Sequence, residues 1–170
     1  MPDSLKPVNL ESSKEFIRLA VKYATEHSDD AFTKNGAILV TADRKTMIYA
    51  TNLIPGRVIK TPERCDRPLK YQYLEHAERT AIFRAGANGI NTTDSILYCP
   101  WYACVDCARA IISAGVAECI GVKKLRDSTP ERWLETVRLA ESMLIEAGVK
   151  CSYIEDEIGE CEMFQDGKLV

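Results

Sequence analysis

Apolar positions early in the chain switch between two periods. Across "SSKEFIRLAVKYATEH", Phe16, Leu19, Ala20 and Tyr23 recur at helical spacing, with Ser12 or Ser13 as N-cap and Glu15 near the capping-box position. A first helix is predicted there, after a polar leader. "GAILVTADRKTMIYATN" then reads as a hairpin, with strands over 36–41 and 46–51 and a turn at Asp43 to Lys45. Next, "PGRVIKTPERCDRPLKYQY" holds three prolines, Gly56 and five basic side chains with no period, so it reads as a long loop. Loops of that length inside compact domains tend to carry function.

From His76, "HAERTAIFRAG" returns to helical spacing, with Ala77, Ile82 and Phe83 on one side and Gly86 or Gly89 as the end. "SILYC" is a short apolar strand, "CVDCARAIISAG" a helix closing at Gly115, and "ECIGV" a buried strand. "TPERWLETVRLAESMLIEAG" predicts a helix with Thr129 as N-cap, Pro130 at the first helical position and a stop at Gly148; "KCSYI" is the last strand. The order α-β-β-α-β-α-β-α-β argues an α/β fold, a three-layer α/β/α sandwich around a five-stranded mixed sheet. A single domain over 1–170 is expected, its core at about 12–154. The acidic tail over 155–170, "EDEIGECEMFQDGKLV", shows little period and is expected to be extended or docked on a partner.

Composition narrows the functions. At 170 residues and 46% hydrophobic content the chain supplies one core, hence one site. A net charge of -3 gives no field to attract a polyanion, so a small-molecule substrate is favoured over nucleic acid. No apolar run reaches the ~18 residues of a membrane span, and "MPDSLKPVNLESS" lacks the charged and apolar regions of a signal peptide. A cytoplasmic protein without membrane contact is expected. Seven cysteines at irregular spacing suit free core thiols plus a metal pair better than a disulfide framework.

Cys104 and Cys107 sit three apart at the start of a predicted helix, where unpaired amides and the helix dipole favour thiolates. His76 opens the preceding helix in the same way, and in a strand-helix-strand-helix unit both helix starts lie at one end of the sheet. Three ligands are one short of a closed tetrahedral site, which leaves a water position open, as catalytic zinc requires. Glu78 cannot easily join the same ion but can reach a water there, as the shuttle that accepts its proton and delivers it to a ring nitrogen and a leaving amine. Two other readings stay open: a closed zinc knot recruiting Cys99, Cys65 or His27, and a thiol pair in an apolar core. His27, at a helix end, otherwise reads as structural.

H-x-E followed by P-C-x-x-C is the signature of zinc-dependent nucleobase deaminases. Within that superfamily "KYQYLEHAE" resembles the "KYPYVCHAE" of deoxycytidylate deaminases, with Gln72, Leu74 and Glu75 as departures. "YATNLIPGR" resembles their "GYNGMPNG", keeping Asn52 and Pro55 in register, and "NGAILV" matches their first-strand Gly-Ala. The resemblance covers roughly residues 12–125. It implies His76, Cys104 and Cys107 as ligands of one Zn2+ ion and Glu78 as the proton shuttle. It also implies the Ala77 amide on the pyrimidine carbonyl, Asn52 on the sugar hydroxyl, and hydrolysis of dCMP to dUMP and ammonia for thymidylate synthesis. A homo-oligomer, hexamer or dimer, switched by dCTP and dTTP, with Mg2+ accompanying dCTP, is a further implication.

Two departures touch that picture. Ala103 replaces the family's proline before the first cysteine, and Ala50 and Leu53 replace glycines of the segment associated with dCTP. Trp101 and Tyr102 are expected to line the zinc loop, either stacking on a base or packing in the core. "HAERTAI" also resembles the "CAERTAI" of free cytidine deaminases, where the arginine offsets an extra thiolate. Arg79 is accordingly placed beside a cysteine sulfur or on the surface. Arg57, Lys60, Arg64, Arg67 and Lys70 crowd the loop before the site, and a guanidinium suits a 5′-phosphate; Arg57, Arg67 and Lys70 are the candidate contacts. The rivals are a cytidine or deoxycytidine deaminase, a tRNA or nucleic-acid deaminase, and a non-catalytic zinc-binding module.

Overall fold

A computed structural model describes residues 10–159 and 161–170; the leader over 1–9 lies outside them. Helix α1 (Leu10–His27) buries Ile17, Ala20, Val21 and Ala24 on one face. It already runs at Leu10, so Ser12 and Ser13 lie inside its first turn and neither is the N-cap expected from sequence. Nothing in Leu10 or Glu11 resists the helix. Strands β1 (Gly36–Val40) and β2 (Met47–Thr51) form the antiparallel hairpin, with Gly36 opposite Thr51 and Val40 opposite Met47. Gly36 is forced by packing: a Cβ there would stand 1.9 Å from the Ala20 carbonyl oxygen, so only glycine lets α1 lie this close.

The proline-rich loop contains two single-turn helices that its composition concealed, α2 (Pro62–Cys65) and α3 (Lys70–Tyr73). The Thr61 side chain caps α2 by accepting from the Arg64 amide. Helix α4 (Ala77–Ala87), strand β3 (Ile96–Tyr98), helix α5 (Val105–Ser113) and strand β4 (Glu118–Val122) follow as predicted. Phe83 of α4, expected to face inward, is 56% exposed, because α4 instead turns Ala77, Glu78, Ala81 and Ala85 toward the sheet. Small side chains along that face bring the helix close and drive Glu78 into the interior.

A short helix α6 (Lys123–Asp127), which sequence reading missed, precedes α7 (Glu131–Glu146) and strand β5 (Lys150–Ile154). Thr129 does not cap α7: its hydroxyl donates back to the Arg126 carbonyl at 2.7 Å, and Pro130 takes the N-cap position. The late carbonyls of α6 need donors, and Thr129 supplies one. The tail is not extended. It returns to the body of the protein, burying Ile158, and ends in a hairpin of β6 (Phe164–Gln165) and β7 (Lys168–Leu169).

The main sheet has the order β2-β1-β3-β4-β5, with β1 antiparallel to its neighbours and β3, β4 and β5 mutually parallel. Alternating side chains divide between its faces. Ala37, Leu39 and Leu97 pack with α4, α5 and α7, while Ile38, Val40, Ile96 and Tyr98 pack with α1 and α6. This is the three-layer α/β/α sandwich on a five-stranded mixed sheet. It places the starts of α4 and α5 side by side on one face. No helix among the described residues is long and apolar enough to cross a membrane.

Candidate active site

His76 is the N-cap residue of α4 and Cys104 the N-cap residue of α5; both have extended backbones and neither side chain caps its own helix. Their side chains are thereby free to face one another. Cys107 follows one turn into α5 and is fully buried. His76 Nδ1 lies 3.5 Å from Cys104 Sγ and 3.4 Å from Cys107 Sγ, and the two sulfurs are 3.6 Å apart. A tetrahedral zinc at ordinary bond lengths holds sulfur and nitrogen about 3.6 Å apart, and two sulfurs about 3.8 Å apart. The observed edges fit that ion. Among the described residues, this group brings three protein donors together, so no fourth side chain closes it into a knot.

The electrostatics agree with the donor chemistry. Cys104 has its pKa brought down to about 4, by the hydrogen bond from Cys107 and then, against burial, by His76. Cys107 is pushed up by that same bond and by burial, so the two thiols titrate as a coupled pair. Burial works to lower the His76 pKa, but Cys104 and Glu78 outweigh it and leave the imidazole above its ordinary value. Glu78 is 3% exposed, its Oε2 has no hydrogen-bond partner, and burial raises its pKa against the pull of His76. An orphaned buried carboxylate oxygen beside three donors is costly unless something is meant to occupy the space it faces.

The site is braced from both sides. Leu53 and Glu75 exchange backbone hydrogen bonds at 3.1 and 2.8 Å, which pins the chain just ahead of His76. Arg79 pairs with Glu75, in the segment just ahead of α4, and with Asp106 in the first turn of α5, tying the two helix starts together. It sits in the field of both thiols but takes carboxylates as partners, so the sulfur hydrogen bond expected from sequence is replaced by a clamp. Thr136 of α7 accepts from the Val105 amide at 3.1 Å, fixing the same start of α5 against α7.

A cavity of about 150 Å³ opens over the donors and is lined by His76, Glu78, Cys104, Trp101, Tyr102 and Trp133, among others. Tyr102 stacks on Tyr153, with ring centroids 5.4 Å apart, and Trp133 presents an edge-on contact to His76 at 6.3 Å. Ala77 is the first residue of α4, so its amide is among the donors that lack a partner in the helix's own ladder. Asn52 also lines the cavity, with its amide engaged by the protein. Its oxygen accepts from Ser28 at 2.6 Å and the Asn35 amide at 3.1 Å, and its nitrogen donates to the Thr33 carbonyl at 2.7 Å. A sugar hydroxyl would have to exchange with one of these bonds.

The basic loop divides three ways. Arg57 is exposed and is not among the residues that line the cavity. Lys70 lines the cavity but is buried on Asp30 at 2.7 and 2.9 Å, and Asp30 also holds the amides of Phe32 and Thr33. Arg67 reaches the rim and pairs with Asp166. Sequence reading missed Arg132 and Trp133 of α7 and Asp166 of the tail. For Asp166 a signal was present: "FQDGKL" carries an Asp-Gly pair between short strands, the mark of a two-residue hairpin turn.

Fold and site together define an α/β protein with a candidate zinc centre: helix starts on one face of a mixed sheet, a His-Cys-Cys donor set and a buried glutamate. The pattern described as the cytidine and deoxycytidylate deaminase zinc-binding region matches residues 10–123, and the chain belongs to that family. A probable deoxycytidylate deaminase of Drosophila melanogaster is 27% identical over 139 residues, 75% of this chain; the chain spans 64% of that relative's length. The fold is shared with the dCMP deaminase of cyanophage S-TIM5, at a TM-score of 0.65 and 20% identity, covering 86% of this chain and 100% of that one. It is also shared with a diaminohydroxyphosphoribosylaminopyrimidine deaminase/reductase of Thermotoga maritima. That match has a TM-score of 0.59 and 15% identity, over 85% of this chain and 36% of that one.

Proposed function

We propose that this chain hydrolyses dCMP to dUMP and ammonia, the dUMP serving thymidylate synthesis. The observation that carries the proposal is Glu78, a buried carboxylate with an unpartnered oxygen set against three metal donors in an aromatic-lined cavity. The nucleotide is chosen for the two guanidiniums at the rim, and the relatives named as deoxycytidylate deaminases support it.

His76, Cys104 and Cys107 would hold the ion, and zinc there would supply the Lewis acidity that makes water reactive at neutral pH. Glu78 takes one proton from the attacking water and gives it to N3 of the pyrimidine, then takes the proton of the hydroxyl formed at C4 and gives it to the departing amine, so that water supplies both protons as the C–N bond breaks. A pKa raised by burial suits a carboxylate that must take and give protons in turn. The Ala77 amide holds the pyrimidine carbonyl, and the aromatic walls of Tyr102 and Trp133 confine the base and exclude bulk water. Arg79 keeps the two helix starts in register.

The proposal includes a homo-oligomer regulated by dCTP, with Mg2+, and by dTTP. The test is a panel of dCMP, dCTP, deoxycytidine, cytidine and cytosine, run with and without those effectors. Ammonia release is expected to be fastest from dCMP. Equal rates on deoxycytidine would replace the nucleotide with the nucleoside, a reading favoured by one observation: Asp166 already occupies both rim guanidiniums.

A further inference from the structure

The rim carries a contact that deamination does not need. Arg67, from the loop before α3, and Arg132, from the first turn of α7, both bind the Asp166 carboxylate, Arg132 reaching each of its oxygens at 2.6 Å. All three residues line the cavity that His76 and Glu78 line. A carboxylate held between two guanidiniums occupies a place that a phosphate monoester also suits, with up to one more negative charge.

Asp166 stands at the tip of the β6–β7 hairpin, where positive φ angles of 52° at Asp166 and 77° at Gly167 make the turn. The tip is where the hairpin is fastened. The Asp166 amide donates to Thr33 Oγ1 at 3.1 Å and the Gly167 amide to the Phe32 carbonyl at 2.7 Å. The strands are two residues each, pair with no strand of the main sheet, and leave Lys168 and Leu169 exposed. A two-stranded hairpin of this size has little stability of its own. Its docking depends on the Asp166 ion pairs and the Asp166 and Gly167 amide bonds, with Cys161 and Met163 packed on the core just ahead of it.

We infer that the C-terminal hairpin is a latch displaced by phosphate. Asp166 holds the Arg67 and Arg132 site as an internal stand-in, and the 5′-phosphate of the substrate takes over both guanidiniums and releases the hairpin. The inference rests on the proposed nucleotide substrate for the identity of the anion. A dianion gains more from two guanidiniums than a carboxylate does, so it wins the exchange, while a nucleoside brings nothing that opens the latch. Nucleotide specificity is then set by a competitor inside the chain, and the apparent affinity for dCMP is lowered by the fraction of molecules that are latched.

Asp166→Asn keeps the size of the side chain and removes its charge. KM for dCMP is expected to fall roughly fivefold with kcat held, the scale of a partly exposed ion pair. A KM that is unchanged or raised overturns the latch. Hydrogen exchange on the wild-type chain provides a second reading, with inorganic phosphate and dUMP added at constant ionic strength. Faster exchange at the Asp166 and Gly167 amides with phosphate, and not with chloride, supports the latch; protection that persists at saturating phosphate overturns it. The two proposals fail differently. Equal turnover of deoxycytidine and dCMP removes the proposed substrate, yet phosphate-driven exchange is still read. Preference for dCMP without any phosphate effect removes the latch alone.

Discussion

The two ends of the cavity are built on opposite principles. At the metal end every functional group rides on the first turn of a helix packed against the sheet, and the buried surroundings leave each side chain one place to go. At the rim the charged groups come from a loop, a helix start and a terminal hairpin, and they are held by one another more than by packing. The Asp30–Lys70 pair lines the same cavity, charged like the rim but buried like the metal end. The contrast matches what each end does. Proton transfer needs atoms fixed before the substrate arrives, whereas recognition of a charged group tolerates, and here exploits, an exchange of partners.

The contrast can be broken most severely at Glu78. Glu78→Gln is expected to lower kcat about a thousandfold while zinc content, measured on the purified protein, stays at one per chain. Loss of zinc together with activity would instead make Glu78 a structural brace for the donors. Lys70→Met strands the Asp30 carboxylate in the interior and is expected to cost about 3–5 kcal/mol in denaturant unfolding, with Asp30→Asn/Lys70→Met recovering much of it. If Lys70→Met costs stability no more than a surface change does, that pair belongs with the rim. Arg132→Ala is expected to raise KM for dCMP about tenfold, as a charge-assisted bond to phosphate is lost, with kcat nearly kept. A loss confined to kcat would move Arg132 to the catalytic end. Arg57→Ala, outside the cavity, is expected to change KM less than twofold.

Legibility in sequence follows the same division. The metal end was readable because its residues are close in sequence to the helix starts that place them: His76 with Glu78, and Cys104 with Cys107, each need only one helix to be positioned. The sandwich was readable for a similar reason, since period and punctuation are local. The rim was not, because Arg67, Arg132 and Asp166 are far apart in the chain and meet only through tertiary packing. Five basic residues in one loop suggested a phosphate site, but composition cannot say which charges are already matched. Lys70 is matched by Asp30, Arg67 by Asp166, and Arg57 points elsewhere. Phe83 failed as a core residue for a related reason. Helical spacing marks a face, and the tertiary structure chose the face of small side chains that admits Glu78.

By itself, then, the sequence determined the helices and strands and the grouping of His76, Cys104 and Cys107, because each depends on spacing along one or two local elements. The tertiary structure decided which charges remain available, how Asn52 is engaged, and that the acidic tail closes on the chain's own cavity. Those outcomes depend on desolvation and on pairings between distant segments, and no local pattern encodes either one.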